Sequence, residues 1–171
     1  REGEVEDIDA TAQAIALGAL NYYLLQTTPS KDMIFNPKES LSFTGNTGPY
    51  LQYMGARISS MLEKYREMDD VAAKGKFRPE LLVEEDEKSL VKLLTAFPEA
   101  VADAGAQLAP SVITGYLYEL SKTYSRYYHD NPILKNDDPD LVVTRITLSK
   151  AVLQVLENAF SYVGIPFLSS M

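Results

Sequence analysis

The chain has no cysteine, so disulfides and thiolate metal sites are excluded. Its one histidine is His129, which rules out a multi-histidine zinc site and leaves any Ser-His-Asp triad that single residue to use. Long apolar runs are missing too. The best candidates, residues 14–20 and 148–156, end well short of the roughly 20 positions a membrane helix requires, so no membrane partner is expected. No Walker-type phosphate loop, glycine-rich dinucleotide fingerprint, nucleophile elbow or HExxH zinc string occurs. The chain opens on Arg1, and no apolar signal region follows. The expectation is a piece of a longer, intracellular and cytoplasmic protein.

What is present is an ordinary globular mixture. With 46% hydrophobic and 23% charged residues, 171 positions suffice for one domain with a sizeable core. The net charge of −8 argues against a generic nucleic-acid binder. The charge is uneven, however. Acid gathers at Glu2, Glu4, Glu6, Asp7 and Asp9, at Glu84, Glu85, Asp86 and Glu87, and at Asp137, Asp138 and Asp140. Residues 45–62 carry Arg57 and no acid, so a local RNA-facing patch can coexist with an acidic remainder.

Apolar residues at three- and four-residue spacing dominate, and strand signals are scarce. The pattern predicts an all-α antiparallel bundle. A first helix over residues 7–26 aligns Ile8, Ala12, Ile15, Ala19, Tyr22 and Tyr23 on one face. Residues 36–49 form an irregular loop ending in Gly45-Asn46-Thr47-Gly48-Pro49, where two glycines and a proline stop any helix. Pro49 suits the first turn of a second helix reaching residue 69, with Leu51, Ile58, Met61, Leu62 and Tyr65 facing a core. Residues 70–84 look like a mobile linker. A short helix over 85–95, another starting at Pro98 and reaching residue 108, a longer one over 110–128 and a last one over 140–163 complete the set. Gly164-Ile165-Pro166 ends the last helix.

Few residues suggest chemistry. The acidic clusters could ligate a metal, but their position at helix starts fits dipole complementation and solvation better. His129 fits a surface histidine near a helix end. The eleven tyrosines say more. Tyr50, Tyr53 and Arg57 stand at i, i+3 and i+7 and share a helical face that begins just after the glycine-rich loop. Rings that stack on unpaired bases, a guanidinium and exposed backbone N–H groups suit single-stranded RNA. Tyr124, Tyr127 and Tyr128 form a second group. The same spacing also fits a tyrosine-rich core with hydroxyls reaching the surface.

Residues 45–62, GNTGPYLQYMGARISSML, resemble a motif of arginyl-tRNA synthetases. There an irregular loop enters a helix through Gly-x-Thr-Gly-Pro-Tyr-x-Gln-Tyr, with an arginine four residues on. Every defining position is present. Phe97-Pro98, the run PSVITGYLYELSKTYSRYY over 110–128, the Arg145-containing segment 144–148 and the ending Val163-Gly164-Ile165 with Met171 are similar to further features of that family. Met54-Gly55 departs from the usual small residue and histidine. Gly55 costs roughly 1 kcal/mol within a helix and points to close backbone approach there.

The resemblance implies a class I synthetase anticodon-binding domain of the so-called DALR type. Residues 1–30 would be the connecting helix from a catalytic domain, and residues 31–171 the helical anticodon-binding domain. The family's HIGH- and KMSKS-like motifs are absent, so no catalytic residue and no cofactor site is expected in this chain. ATP and magnesium would belong to the parent enzyme, an arginine–tRNA ligase. The implied partners are the anticodon arm of arginine-specific tRNA and the chain's own catalytic domain in cis, in a monomer. The implied RNA-binding residues are Gly45, Asn46, Tyr50, Tyr53, Arg57, Tyr128 and Met171. The alternatives are a helical protein-interaction domain, which the acidic surface favours, and the anticodon domain of another class I synthetase.

Overall fold

The computed structural model describes residues 8–68 and 75–171 and contains no strand among them. The helices are α1 (Ile8–Leu25), α2 (Pro37–Ser40), α3 (Gly48–Arg66), α4 (Glu85–Gln107), α5 (Ser111–Asp130) and α6 (Pro139–Val163), with a 3-10 turn at Pro79–Leu81. The all-helical bundle read from the periodicity is the observed architecture.

The last helix is the hub. It packs against α1, α3, α4, α5 and the 3-10 turn. Val142, Ile146, Val152, Leu156 and Phe160 point inward from it. They meet Leu51, Met54 and Ile58 of α3 and Leu117, Leu120 and Tyr124 of α5, all fully buried. Each such side chain contributes about 1.5–3 kcal/mol by leaving water. Asp138 caps the start of α6, its carboxylate accepting the Asp140 N–H at 2.9 Å. Gly164, at φ 64°, ends it in the left-handed conformation.

The first and third helices cross backbone to backbone. A Cβ on Gly48 would lie 2.2 Å from the Gly18 carbonyl oxygen, so no larger residue fits without moving a helix. Beside this crossing stands Gln52, fully buried. Its Nε2 donates to the Ala14 carbonyl at 3.1 Å and to the Pro166 carbonyl at 2.9 Å. One amide thereby joins α1, α3 and the segment that follows α6. Its oxygen occupies the space a Gly18 side chain would need, and no donor reaches it among the described residues.

The structure corrects the sequence reading in four places. Helix α4 does not break at Pro98 but runs through it. Proline weakens a helix by removing one N–H and crowding the preceding turn, yet this turn is held from outside. Phe97 is buried against Tyr116 at 5.2 Å between centroids, and the Tyr116 hydroxyl donates to the Leu93 carbonyl at 2.9 Å. Second, the loop over 36–49 contains one helical turn, α2, capped by Asn36. Third, Ile8 and Ala12 are exposed; the close contacts of α1 with α3 lie farther along, at Gly18 and at the Ala14 carbonyl that Gln52 holds. Fourth, part of the linker read over 70–84 falls at 70–74, outside the described residues. The rest is tied to α6: the Lys76 N–H donates to Asp140 at 2.7 Å and the Arg78 N–H to Thr144 Oγ1 at 2.9 Å.

Gly48→Ala should destabilise the chain by about 1–3 kcal/mol through overpacking. Gly115→Ala, a position inside α5 with no atom within 4 Å of a built Cβ, should stabilise it by roughly 0.5–1 kcal/mol. Urea unfolding of both variants checks the pair. A Gly48→Ala variant as stable as the parent would refute the crossing.

Candidate nucleic-acid interface

Helix α3 carries the site because its start is well specified. Thr47 Oγ1 accepts the Tyr50 N–H at 3.3 Å and donates to the Ser42 carbonyl, and Pro49 fills the first turn. Leu51, Met54, Ile58 and Leu62 turn inward, which leaves Tyr53, Arg57, Ser60 and Lys64 along the outer side.

Four of the residues singled out from sequence meet in one groove of about 580 Å³: Tyr53, Arg57, Tyr128 and Met171. The guanidinium carbon of Arg57 sits 4.1 Å from the centroid of the Tyr128 ring. Tyr128 also stands beside the fully buried Tyr124, with ring centroids 6.3 Å apart and planes tilted by 37°. Arg57 thus covers one face of Tyr128, next to a ring that belongs to the core.

Met171 arrives by a guided path. Gln52 holds the Pro166 carbonyl, and the Phe167 ring lies 2.9 Å from where a Gly55 Cβ would stand. This is the close approach that the glycine implied. Any side chain there would push Phe167 away and shift the tail out of the groove.

Gly45 and Asn46 lie elsewhere, in a second depression of about 670 Å³ lined also by Tyr23, Asn36, Lys38 and Thr44. Gly45 adopts φ 86°, a conformation that glycine reaches without strain. The Asn46 side-chain oxygen accepts the Tyr22 hydroxyl, which also lies 3.1 Å from the Thr114 carbonyl. The loop tip is thus pinned to a buried tyrosine of α1.

Tyr50 lines neither depression. Its ring is half-buried and meets Tyr118 edge-on at 6.3 Å between centroids. Burial pushes the Tyr50 hydroxyl above its usual pKa, while Ser125 and Arg57 pull it part of the way back.

Sequence reasoning missed what holds this face. Glu87 was read as part of a solvated acidic cluster. It is fully buried, and its Oε1 accepts from Arg145 Nε at 2.7 Å while its Oε2 accepts the Glu84 N–H at 3.0 Å. Arg145 also donates to the Pro132 carbonyl at 3.1 Å and to the Asn131 side chain at 3.3 Å. Asn131 returns to the Tyr127 carbonyl at 3.1 Å. This network clamps the end of α5, the residue next to Tyr128 included. A signal existed: Arg145 falls on the stripe of Val142, Ser149 and Val152, at core spacing. Its partner, 58 positions away, had no such signal. His129 ends α5 with its side chain 86% exposed.

Fold and groove together define a class, a helical domain presenting rings and a guanidinium beside a pinned loop. Residues 51–171 match the DALR anticodon binding domain. An arginine–tRNA ligase of Treponema denticola is 54% identical over 173 residues, covering 100% of this chain and 29% of that protein. One of Borrelia hermsii is 44% identical over 171 residues, with the same coverage of 100% and 29%. Among solved structures, the Thermus thermophilus arginyl-tRNA synthetase superposes with a TM-score of 0.86 at 30% identity, over 99% of this chain and 29% of that one. This chain belongs to the DALR anticodon-binding domain family. It spans about 29% of the length of the arginine–tRNA ligases it matches.

Glu87→Gln should destabilise the chain by about 3–5 kcal/mol, because it leaves the Arg145 charge buried without a counter-charge. Replacing both residues together, with Glu87→Leu and Arg145→Met, should recover much of that loss. Thermal melts of the two variants test this; a Glu87→Gln protein melting with the parent would rule the clamp out.

Proposed function

We propose that this chain grips the anticodon arm of an arginine-specific tRNA as the RNA-recognition part of a cytoplasmic, monomeric arginine–tRNA ligase. The observation that carries the reading is the stack of Arg57 on Tyr128, with Tyr53 and Met171 around the same groove. A planar cation backed by aromatic rings can extend the stack to an unpaired base through its outer face. Its N–H edge remains available to phosphate oxygens. Lys64 lines the same groove, where it and Arg57 offset the charge of Glu63 and Glu67. Gly45 and Asn46 would meet the RNA backbone from the loop, with Tyr22 holding the tip in place.

The adenylation of arginine with ATP and magnesium, and its transfer to the tRNA, belong in this reading to the remainder of such a ligase. Among the described residues no group of three or more His, Cys, Asp or Glu side chains could hold a metal ion, and we assign no ATP, magnesium or catalytic residue to this chain. Residues 1–30 would connect to the catalytic domain in cis. Support comes from Leu17, Leu20 and Leu24, which leave an apolar stripe exposed on α1 opposite its contact with α3. No helix among the described residues is long and apolar enough to cross a membrane.

Tyr128→Ala should weaken binding of an arginine-specific tRNA by about 1–3 kcal/mol. Unchanged affinity in a folded variant would remove the assignment. Arg57→Gln should flatten the dependence of log affinity on log salt by about 0.7, the effect of one lost single-strand phosphate contact. The measurement is a binding titration repeated across salt concentrations, and an unaltered slope would make Arg57 a structural residue.

A further inference from the structure

A strip of α5 that the sequence reading did not single out runs toward the Arg57–Tyr128 groove. Tyr118 lies at its centre, half-exposed, with its ring edge-on to Tyr50 at 6.3 Å. It also stands close enough to the Tyr22 hydroxyl, the anchor of the loop tip, for the two to interact electrostatically. One helical turn on, Lys122 is exposed and places its ammonium 5.9 Å from the centroid of the Tyr118 ring. Continuing along α5, Ser125 meets Tyr50, and Tyr128 lies under Arg57. From Tyr118 to Tyr128 the helix rises about 15 Å, so the strip spans from the pinned loop to the arginine–tyrosine groove.

The placing of the cations makes this strip distinctive. Arg78, Arg126 and Arg145 are all spoken for by carboxylates. Arg57 and Lys122 have no carboxylate at ion-pair distance among the described residues and lie over tyrosine rings instead. Glu63 and Glu67 line the Arg57 groove but do not come within ion-pair distance of either cation, so both charges remain available to an outside anion. Lys150 repeats the motif over Tyr65, but that ring is only 9% exposed and offers no platform.

We propose that Tyr118 and Lys122 form a further RNA-contact step between the loop and the Arg57–Tyr128 groove. A backbone phosphate is held by Lys122, and a base or ribose rests against the exposed part of Tyr118. The proposal rests on the RNA-binding reading above. It commits that reading to a path, in which the nucleic acid runs along the α3–α5 seam and does not bridge two separate sites.

The test uses the full chain, an arginine-specific tRNA transcript and four variants: Lys122→Gln, Tyr118→Leu, Tyr128→Ala and Lys92→Gln. The last removes the same charge from an exposed position on α4. Unfolding midpoints confirm that each variant folds. Lys122→Gln should weaken binding roughly fivefold at 0.1 M salt and reduce the salt slope by about 0.7, the effect of one lost single-strand phosphate contact. Tyr118→Leu should weaken it about fivefold, the low end for losing one stacked ring, and Lys92→Gln should leave it unchanged. Unchanged affinity and slope for Lys122→Gln, with Tyr128→Ala impaired, would overturn the path and spare the RNA-binding reading. Equal losses for Lys92→Gln and Lys122→Gln would also overturn it, since net charge alone would then explain the effect. If Tyr128→Ala binds normally too, the RNA-binding reading itself fails.

Discussion

Gly18 and Gly48 let two helices touch where almost any other pair would hold them apart. A methyl group on Gly48 has nowhere to go, since the Gly18 carbonyl already fills the space. Because α1 and α3 meet at this depth, Gln52 can reach both the Ala14 and the Pro166 carbonyls with one amide group. Because α3 starts at this point, Thr47 caps it directly after the loop, and Asn46 falls within reach of Tyr22. The helical register then decides the rest: Tyr53 and Arg57 face outward toward Tyr128, and Gly55 faces the tail that carries Met171. The site is downstream of a packing constraint made by two residues without side chains.

Charge is sorted by the fold rather than spread. On the α3–α5 face Arg57 and Lys122 lie on rings, outside any ion pair among the described residues, although Glu63 and Glu67 line the Arg57 groove. Elsewhere Arg78, Arg126 and Arg145 pair with carboxylates. Arg145 is the extreme case, with its charge held in the core by Glu87 and by the carbonyl of Pro132. A buried pair of this kind gains little net stability, since desolvation offsets the attraction, but breaking it is costly. Its value here is positional, because it joins the start of α4, the end of α5 and the first third of α6 at one point. Net charge, taken over the whole chain, therefore says little about what a single face can bind.

Local rules made much of the fold legible. Pro49, Gly164 and the Asn131-Pro132 step mark element ends that the structure keeps, because each acts through its own backbone. Pro98 misled for the opposite reason: its penalty is local, but Tyr116, from a helix that sequence order places later, packs on Phe97 and outweighs it. The split of the candidate site into two depressions was also out of reach. Tyr50, Tyr53 and Arg57 share a face on α3, yet what each one meets depends on α5 and on the tail. Spacing along one helix can align residues; it cannot say that Tyr118 lies across from Tyr50 or that Met171 returns beside Arg57. The Glu87–Arg145 pair makes the same point for the core, where one partner carried a signal and the other did not.

The arginine lying on Tyr128 has a thermodynamic side as well. The ring face under Arg57 lost its water when the chain folded. A ligand arriving at the outer surface of the guanidinium meets a weakly hydrated plane, not bare hydrocarbon. The heat-capacity change that accompanies burial of apolar surface is thereby transferred from association to folding. In the proposed reading, a base stacking there would meet a ring whose face the arginine already covers.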